Sequence, residues 1–149
     1  MKARLLTVAV LIAAAIPASA QFSKPEDAIR YRQSAYVIMG NHMSRIFTQL
    51  KSDKPDVAAI QRSAAIVDFA SQLPGEGYVP GSDKGGNPPT RAKPDVFTDP
   101  KVSEVGRAMR QEVVKLVDVS KTGDVAAIRT QFQATVKSCD NCHDKYRNK

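Results

Sequence analysis

The residues of this chain that are best suited to chemistry lie close to its carboxyl end. Cys139, Cys142 and His143 form a C-x-x-C-H motif, which is the attachment signature of a c-type haem. Two thiols three residues apart on one helical turn can add across the two vinyl groups of a haem, and the next residue can then offer its imidazole to the iron. The motif therefore predicts one covalently attached haem c per chain, with His143 as the ligand of the iron.

Other uses of a C-x-x-C pair are a redox dithiol, a disulfide and half of a zinc site. A redox dithiol is typical of a βαβ context, and a zinc site needs more Cys or His ligands. The chain has only these two cysteines, and its other histidine, His42, is distant in sequence and expected at the surface. The residues present therefore favour haem attachment.

The first 20 residues have the three parts of a secretory signal peptide. Two basic residues are followed by an apolar run over residues 5–16 and by Ala18-Ser19-Ala20, so we expect cleavage after Ala20. The run is too short to span a bilayer, and no later stretch approaches the roughly 20 apolar residues that a span requires. The predicted organisation is a cleaved signal peptide over 1–20 and one periplasmic domain over 21–149, with no membrane segment after cleavage.

The charge of the chain does not indicate a nucleic-acid partner. The sequence has 22 Lys and Arg against 15 Asp and Glu, and two of the basic residues lie in the predicted signal peptide. No basic run is interleaved with aromatic residues. We therefore expect no nucleic-acid binding, and at most a preference for acidic partners.

Apolar residues recur at helical spacing in four segments. The predicted helices cover residues 25–51, 57–73, 100–121 and 125–146. Residues 74–98 hold most of the glycine and proline of the mature chain and form a long loop. Four amphipathic helices with two short connections and one long one predict an all-α fold. We expect an antiparallel four-helix bundle with one long Gly/Pro-rich crossover and a cofactor between facing helices.

The chain resembles the cytochromes c prime, the class II c-type cytochromes of bacterial periplasms, over essentially its whole mature length. That family is a known example of the four-helix bundle, and its haem motif lies near the carboxyl end, whereas class I cytochromes carry theirs near the amino end. The resemblance rests on Lys24-Pro25-Glu26-Asp27-Ala28, Tyr31-Arg32-Gln33-Ser34-Ala35, Pro80-Gly81 and Gly85-Gly86 in the crossover, and Cys139-Asp140-Asn141-Cys142-His143-Asp144-Lys145-Tyr146-Arg147.

The resemblance also implies which side chains bind the haem. It implies thioethers at Cys139 and Cys142, with His143 as the proximal ligand. The other residues that it implies are Arg32 and Gln33 beside the propionates, Tyr36 and Met39 in the distal pocket, Lys93 and Phe97 from the crossover, and Arg147 near the proximal face. For Arg147, an ordinary solvated arginine favourable to the helix dipole is the alternative.

Tyr36 is the position that decides between two functions. Low-spin relatives have an Arg-Gln-x-x-Met run whose methionine ligates the iron, whereas this chain has Arg32-Gln33-Ser34-Ala35-Tyr36. The resemblance therefore implies a five-coordinate, high-spin iron whose crowded sixth position admits small gases such as NO and CO. The alternatives are ligation by a tyrosine phenolate or by Met39 or Met43, and an electron-transfer role with a redox partner protein.

Two further expectations concern catalysis and assembly. We expect no enzymatic activity, because no acid–base pair for peroxide cleavage is evident near Tyr36. The resemblance implies a homodimer formed through the first two helices, as is common in that family. The implied function is gas binding, with sequestration of nitric oxide in the periplasm as the role.

Overall fold

The computed structural model describes residues 21–149, so the predicted signal peptide lies outside the described residues. The elements are four α-helices: α1 (Pro25–Lys51), α2 (Val57–Ser71), α3 (Val102–Lys121) and α4 (Val125–Tyr146). Each predicted helix boundary lies within two residues of the observed one. The predicted all-α four-helix fold is confirmed.

The helix boundaries follow from local side-chain chemistry. Pro25 begins α1, where its missing N–H costs no hydrogen bond. The Asp56 carboxylate accepts a backbone hydrogen bond of 2.9 Å at the start of α2, and Asp124 accepts two, of 2.9 and 3.1 Å, at the start of α4. Gly123 ends the turn before α4 with a φ of +76°, a conformation that glycine adopts without strain. These signals act locally, which is why they are readable in the sequence.

The packed core occupies the end of the bundle that carries the two short connections. Helix α1 packs on α2, α2 on α3, and α3 on α4, while α1 and α4 make few close contacts. The core consists of buried apolar residues from all four helices: Ile46, Leu50, Ile60, Ala64, Leu116, Ile128 and Phe132. The cysteines and the histidine of the C-x-x-C-H motif lie at the opposite end, outside this core.

The crossover between α2 and α3 lies along the first half of α1. It contains two short 3-10 helices, Pro74–Gly77 and Pro94–Phe97. Gly77 and Gly86 permit the close approach, since an added Cβ would lie 2.7 Å from the Ala28 carbonyl oxygen at Gly77 and 2.7 Å from Ile29 at Gly86. The crossover is therefore a packed layer against α1.

The second half of the crossover is joined to the end of α4. The Lys93 N–H donates to the Tyr146 carbonyl at 2.9 Å, and the Asn148 N–H donates to the Arg91 carbonyl at 2.8 Å. An isolated antiparallel bridge pairs Ala92 with the residue after α4. None of the helices within residues 21–149 has the length and apolarity that a membrane crossing requires.

Replacing Gly77 by alanine is expected to destabilise the fold. The new Cβ would lie 2.7 Å from the Ala28 carbonyl oxygen and 3.0 Å from the Arg32 Cβ. Forcing a carbon into a packed site typically costs about 1–3 kcal/mol, so we expect the midpoint of urea denaturation to fall accordingly. Gly75→Ala is the matched control, because Gly75 lies in the same 3-10 helix with nothing within 4 Å of an added Cβ. Equal stability of the two variants would contradict the close approach.

Candidate haem site

Helix α4 presents the three residues of the C-x-x-C-H motif on one turn. Cys142 and His143 lie three and four positions after Cys139 and therefore share a face of the helix with it. All three are partly buried, and both cysteines are free thiols. Within residues 21–149, no group of three or more His, Cys, Asp or Glu side chains could hold a metal ion.

Burial keeps these three groups uncharged near neutral pH. Desolvation raises the pKa of the Cys139 thiol and of the Cys142 thiol. Desolvation also lowers the pKa of His143, and the nearby positive charges of Arg147 and Arg91 lower it further. A neutral imidazole is the form that ligates a metal. Arg147 thus lies close enough to His143 to influence its pKa, and a contact between Arg147 and a haem stays a prediction.

Across from this turn, α1 and the crossover bring two tyrosines together. The hydroxyl oxygens of Tyr36 and Tyr78 are 3.1 Å apart. Desolvation raises the pKa of Tyr36 far above its usual range, with further contributions from Tyr78 and Cys142. Desolvation likewise raises the pKa of Tyr78. Tyr36 and Tyr78 are therefore neutral phenols, and both lie near enough to Cys142 of α4 for its charge to affect their pKa values.

Tyr78 lies at this site through its pairing with Tyr36, although the sequence did not identify it as a site residue. Its ring packs edge to face on Phe97, with centroids 5.5 Å apart and planes at 68°. The Arg32 guanidinium lies 4.8 Å from the centroid of the Tyr78 ring. The signal that would have found Tyr78 is its position directly after Gly77, whose contact with α1 brings the next side chain to the same helix.

Arg32 is only 2% exposed, and its terminal nitrogens bind the crossover. Nη1 donates to the Gly77 carbonyl at 2.6 Å and to the Ser82 hydroxyl at 2.8 Å. Nη2 donates to the Ser82 carbonyl at 2.5 Å and to the Thr90 hydroxyl at 2.9 Å. These bonds use all four terminal N–H groups, so only Nε is left for another acceptor. A contact between Arg32 and a haem propionate stays a prediction.

Gln33 and Lys93 also make contacts other than those implied by the resemblance. Gln33 Nε2 donates to the Pro88 carbonyl at 3.1 Å. Lys93 Nζ donates to the Asp144 and Lys145 carbonyls at 3.3 and 3.0 Å, the kind of contact that a cation makes at a helix carboxyl end. Both side chains hold the crossover to a helix, and their contact with a haem stays a prediction.

The two methionines considered as iron ligands lie in different places. Met39 is 7% exposed and follows Tyr36 by three residues on α1. Met43 packs against the apolar core at the other end of the bundle. Met39 is therefore the methionine that remains a candidate sixth ligand.

Asp99 fixes the crossover to the carboxyl end of α4. Its carboxylate accepts hydrogen bonds from Lys145 Nζ at 2.7 Å and from the Tyr146 hydroxyl at 2.8 Å. It also accepts one from the Lys101 N–H at 2.9 Å. The bond from Lys145, then those from Lys101 and Tyr146, lower the pKa of Asp99 to about 2. This carboxylate lies just beyond the C-x-x-C-H turn and helps to hold that turn in place.

Known proteins resemble this chain over nearly all of its described length. The family model described as Cytochrome C′ matches residues 27–147. The crystal structure of cytochrome c′ from Rubrivivax gelatinosus is 37% identical to this chain, with a TM-score of 0.79, over 86% of this chain and 100% of that one. The nitric oxide complex of a variant of cytochrome c prime from Alcaligenes xylosoxidans is 34% identical, with a TM-score of 0.78, over 87% and 99% of the two chains.

A third solved structure adds information on assembly. It is that of a cytochrome c′ with an unusual ligand-controlled dimer dissociation, and it is 30% identical to this chain. Its TM-score is 0.81, and the match covers 86% of this chain and 99% of that chain.

Asp99→Asn is expected to lower stability at neutral pH and to have less effect as the solution becomes acidic. A carboxyl group whose pKa is lower in the folded state stabilises the fold above its unfolded pKa of about 3.9. That contribution is lost as the pH falls towards the folded value of about 2. The difference in melting temperature between the wild type and the variant should therefore shrink between pH 4 and pH 2.

The control for this experiment is Asp95→Asn, in the same crossover, because the Asp95 side chain makes no hydrogen bond or ion pair to another described residue. A melting-temperature difference for Asp99→Asn that stays constant from pH 7 to pH 2 would show that the charge of Asp99 is not what matters.

Proposed function

The chain belongs to the cytochrome c′ family of haem c-type cytochromes, and on that premise we propose that it binds small neutral gases, NO and CO, at a five-coordinate haem. The observation that carries the proposal is Tyr36, which stands in the Arg-Gln-x-x-Met register where low-spin relatives have their methionine ligand. Its phenol is neutral and hydrogen-bonded to Tyr78. A side chain held in this way excludes bulky and anionic ligands and yields to a diatomic molecule.

The residues present fit a haem at this end of the bundle. The free thiols of Cys139 and Cys142 would form the two thioethers, and the neutral imidazole of His143 would ligate the iron. Arg32 supplies a buried positive charge that no carboxylate offsets within residues 21–149, which suits a cofactor carrying anionic propionates. The bound haem would supply an iron with one open coordination position for the gas.

NO is proposed as the physiological ligand on two grounds. A bulky Tyr36 at the sixth position would favour a small ligand, and a variant of the similar cytochrome c prime from Alcaligenes xylosoxidans is known as a nitric oxide complex. We further propose that the signal peptide directs export and is cleaved after Ala20, and that the mature chain sequesters NO in the periplasm. This is a binding role with no catalytic step.

The competing function is electron transfer with Met39 as the sixth ligand, since Met39 is buried and close to Tyr36 in the helix. In that case Met39 would occupy the position that the gas needs. The two functions predict opposite spectra, so a single measurement separates them.

The ferrous optical spectrum, taken with and without CO and NO, tests the proposal. A five-coordinate iron gives a broad high-spin spectrum that changes when either gas is added. We expect this result for the purified holoprotein, together with the absence of a methionine-to-iron charge-transfer band in the ferric form. A sharp low-spin ferrous spectrum that neither gas alters would exclude gas binding and favour the electron carrier.

We also propose that the protein forms a homodimer through α1 and α2. Ile38 on α1 and Phe69 on α2 are exposed apolar side chains, Phe69 to 68%. Ile66, also exposed, lines a groove between the two helices together with His42. His42 was expected at the surface, but it is half-buried here and its Nδ1 has no hydrogen-bond partner among the described residues. An apolar face of this kind is typical of an interaction surface.

Phe69→Glu is expected to shift the protein from dimer to monomer, because a charge at the centre of an apolar interface is desolvated without a partner. Sedimentation velocity measures the change. Val114→Glu is the matched control, since Val114 is a 46% exposed apolar residue on α3 and should leave the dimer intact. A monomeric wild type, or a dimer in both variants, would contradict the proposed interface.

A further inference from the structure

Tyr36 is tied to the crossover by one hydrogen bond. Its hydroxyl oxygen lies 3.1 Å from that of Tyr78, 42 positions away in the chain, and either hydroxyl can be the donor. No other hydrogen bond to either hydroxyl is present within residues 21–149. The only polar tie between the Tyr36 side chain and the rest of the described chain is therefore Tyr78.

Tyr78 is the fixed member of the pair. Its ring packs edge to face on Phe97 and lies under the Arg32 guanidinium, 4.8 Å from the centroid. Arg32 also fixes the peptide bond that joins Gly77 to Tyr78, because Nη1 donates a hydrogen bond to the Gly77 carbonyl at 2.6 Å. Edge-to-face and cation–π contacts each add to the burial energy of a ring. Tyr78 therefore stays in place when Tyr36 moves.

Tyr36 is the movable member of the pair. Within residues 21–149 its ring makes none of the aromatic or cation–π contacts that hold the Tyr78 ring. Rotation about its side-chain bonds between staggered states requires the loss of the hydrogen bond to Tyr78. The bond therefore resists the movement that an incoming ligand demands.

We propose that Tyr78 is a positioning residue that latches Tyr36 over the ligand side of the haem, so that a gas binds only after the hydrogen bond between the two hydroxyls has broken. This inference rests on the proposed function, because it takes Tyr36 to stand where a sixth ligand would. The cost of breaking the bond is the same for CO and for NO. The latch therefore lowers the affinities for CO and for NO by the same factor, whereas the bulk of Tyr36 excludes larger ligands.

Tyr78→Phe tests the latch, because it removes the hydroxyl and keeps the ring that contacts Phe97 and Arg32. Losing one neutral hydrogen bond changes an equilibrium by roughly fivefold. We expect the CO affinity of the ferrous holoprotein to rise by roughly fivefold, with a faster association rate. Tyr36→Phe should give a similar rise, and the double variant should rise no further than either single variant, since all three lose the same bond.

Tyr31→Phe is the matched control. Tyr31 also donates its hydroxyl from α1 to the crossover, to Glu76 at 2.7 Å, but it takes no part in the Tyr36 pair. We expect the CO affinity and the CO association rate of Tyr31→Phe to equal those of the wild type. A rise in this control as large as that in Tyr78→Phe would show that general loosening of the crossover is responsible, and it would overturn the latch.

Ultraviolet resonance Raman spectroscopy supplies a readout that does not depend on affinity, because tyrosine bands report the hydrogen bonding of the phenol. We expect CO to shift these bands in the wild type and in Tyr31→Phe, and to leave them unshifted in Tyr78→Phe. A wild type that takes up no CO would overturn the proposed function. The latch alone would be overturned if the wild type takes up CO and the CO affinity of Tyr78→Phe equals that of the wild type. It would also be overturned if the increases in CO affinity of Tyr36→Phe and Tyr78→Phe add in the double variant.

Discussion

The end of the bundle that carries the C-x-x-C-H motif depends on the buried guanidinium of Arg32. A cation removed from water costs several kcal/mol unless hydrogen bonds replace its hydration. Here the replacement comes from carbonyl and hydroxyl oxygens of the crossover, at Gly77, Ser82 and Thr90. The crossover acts as the solvation shell of Arg32, and moving it would leave a buried charge without partners. The place of Tyr78, on the same segment, follows from that constraint.

The apolar core of the bundle and its polar candidate site lie at opposite ends of the helices. The apolar core that joins all four helices lies at the end with the short connections. The two thiols, the tyrosine pair and the buried cation lie at the other end, where polar contacts through the crossover join the elements. A cofactor that enters at this end therefore need not displace the packing that defines the fold.

The sequence was sufficient where local rules decide the outcome. Asp124 caps α4 and Gly123 precedes it because these residues act within one turn of chain, and the C-x-x-C-H residues share a face because α4 is regular. The contacts of Arg32 were not predictable, since they depend on Ser82, 50 positions away. Tyr78 was not identified as a site residue for the same reason, since only the folded crossover shows that its hydroxyl contacts that of Tyr36 on α1.

Arg147 and Asn148, which follow α4, give the C-x-x-C-H turn a second anchor. His143 lies in the last turn of α4, where backbone carbonyls lack partners and helices commonly fray. The bridge to the crossover through Lys93 and Asn148, with the Lys93 ammonium on the last carbonyls of α4, counters that fraying. The segment that follows α4 thus becomes a fixed point, and removing Arg147 and Asn148 would loosen the C-x-x-C-H turn.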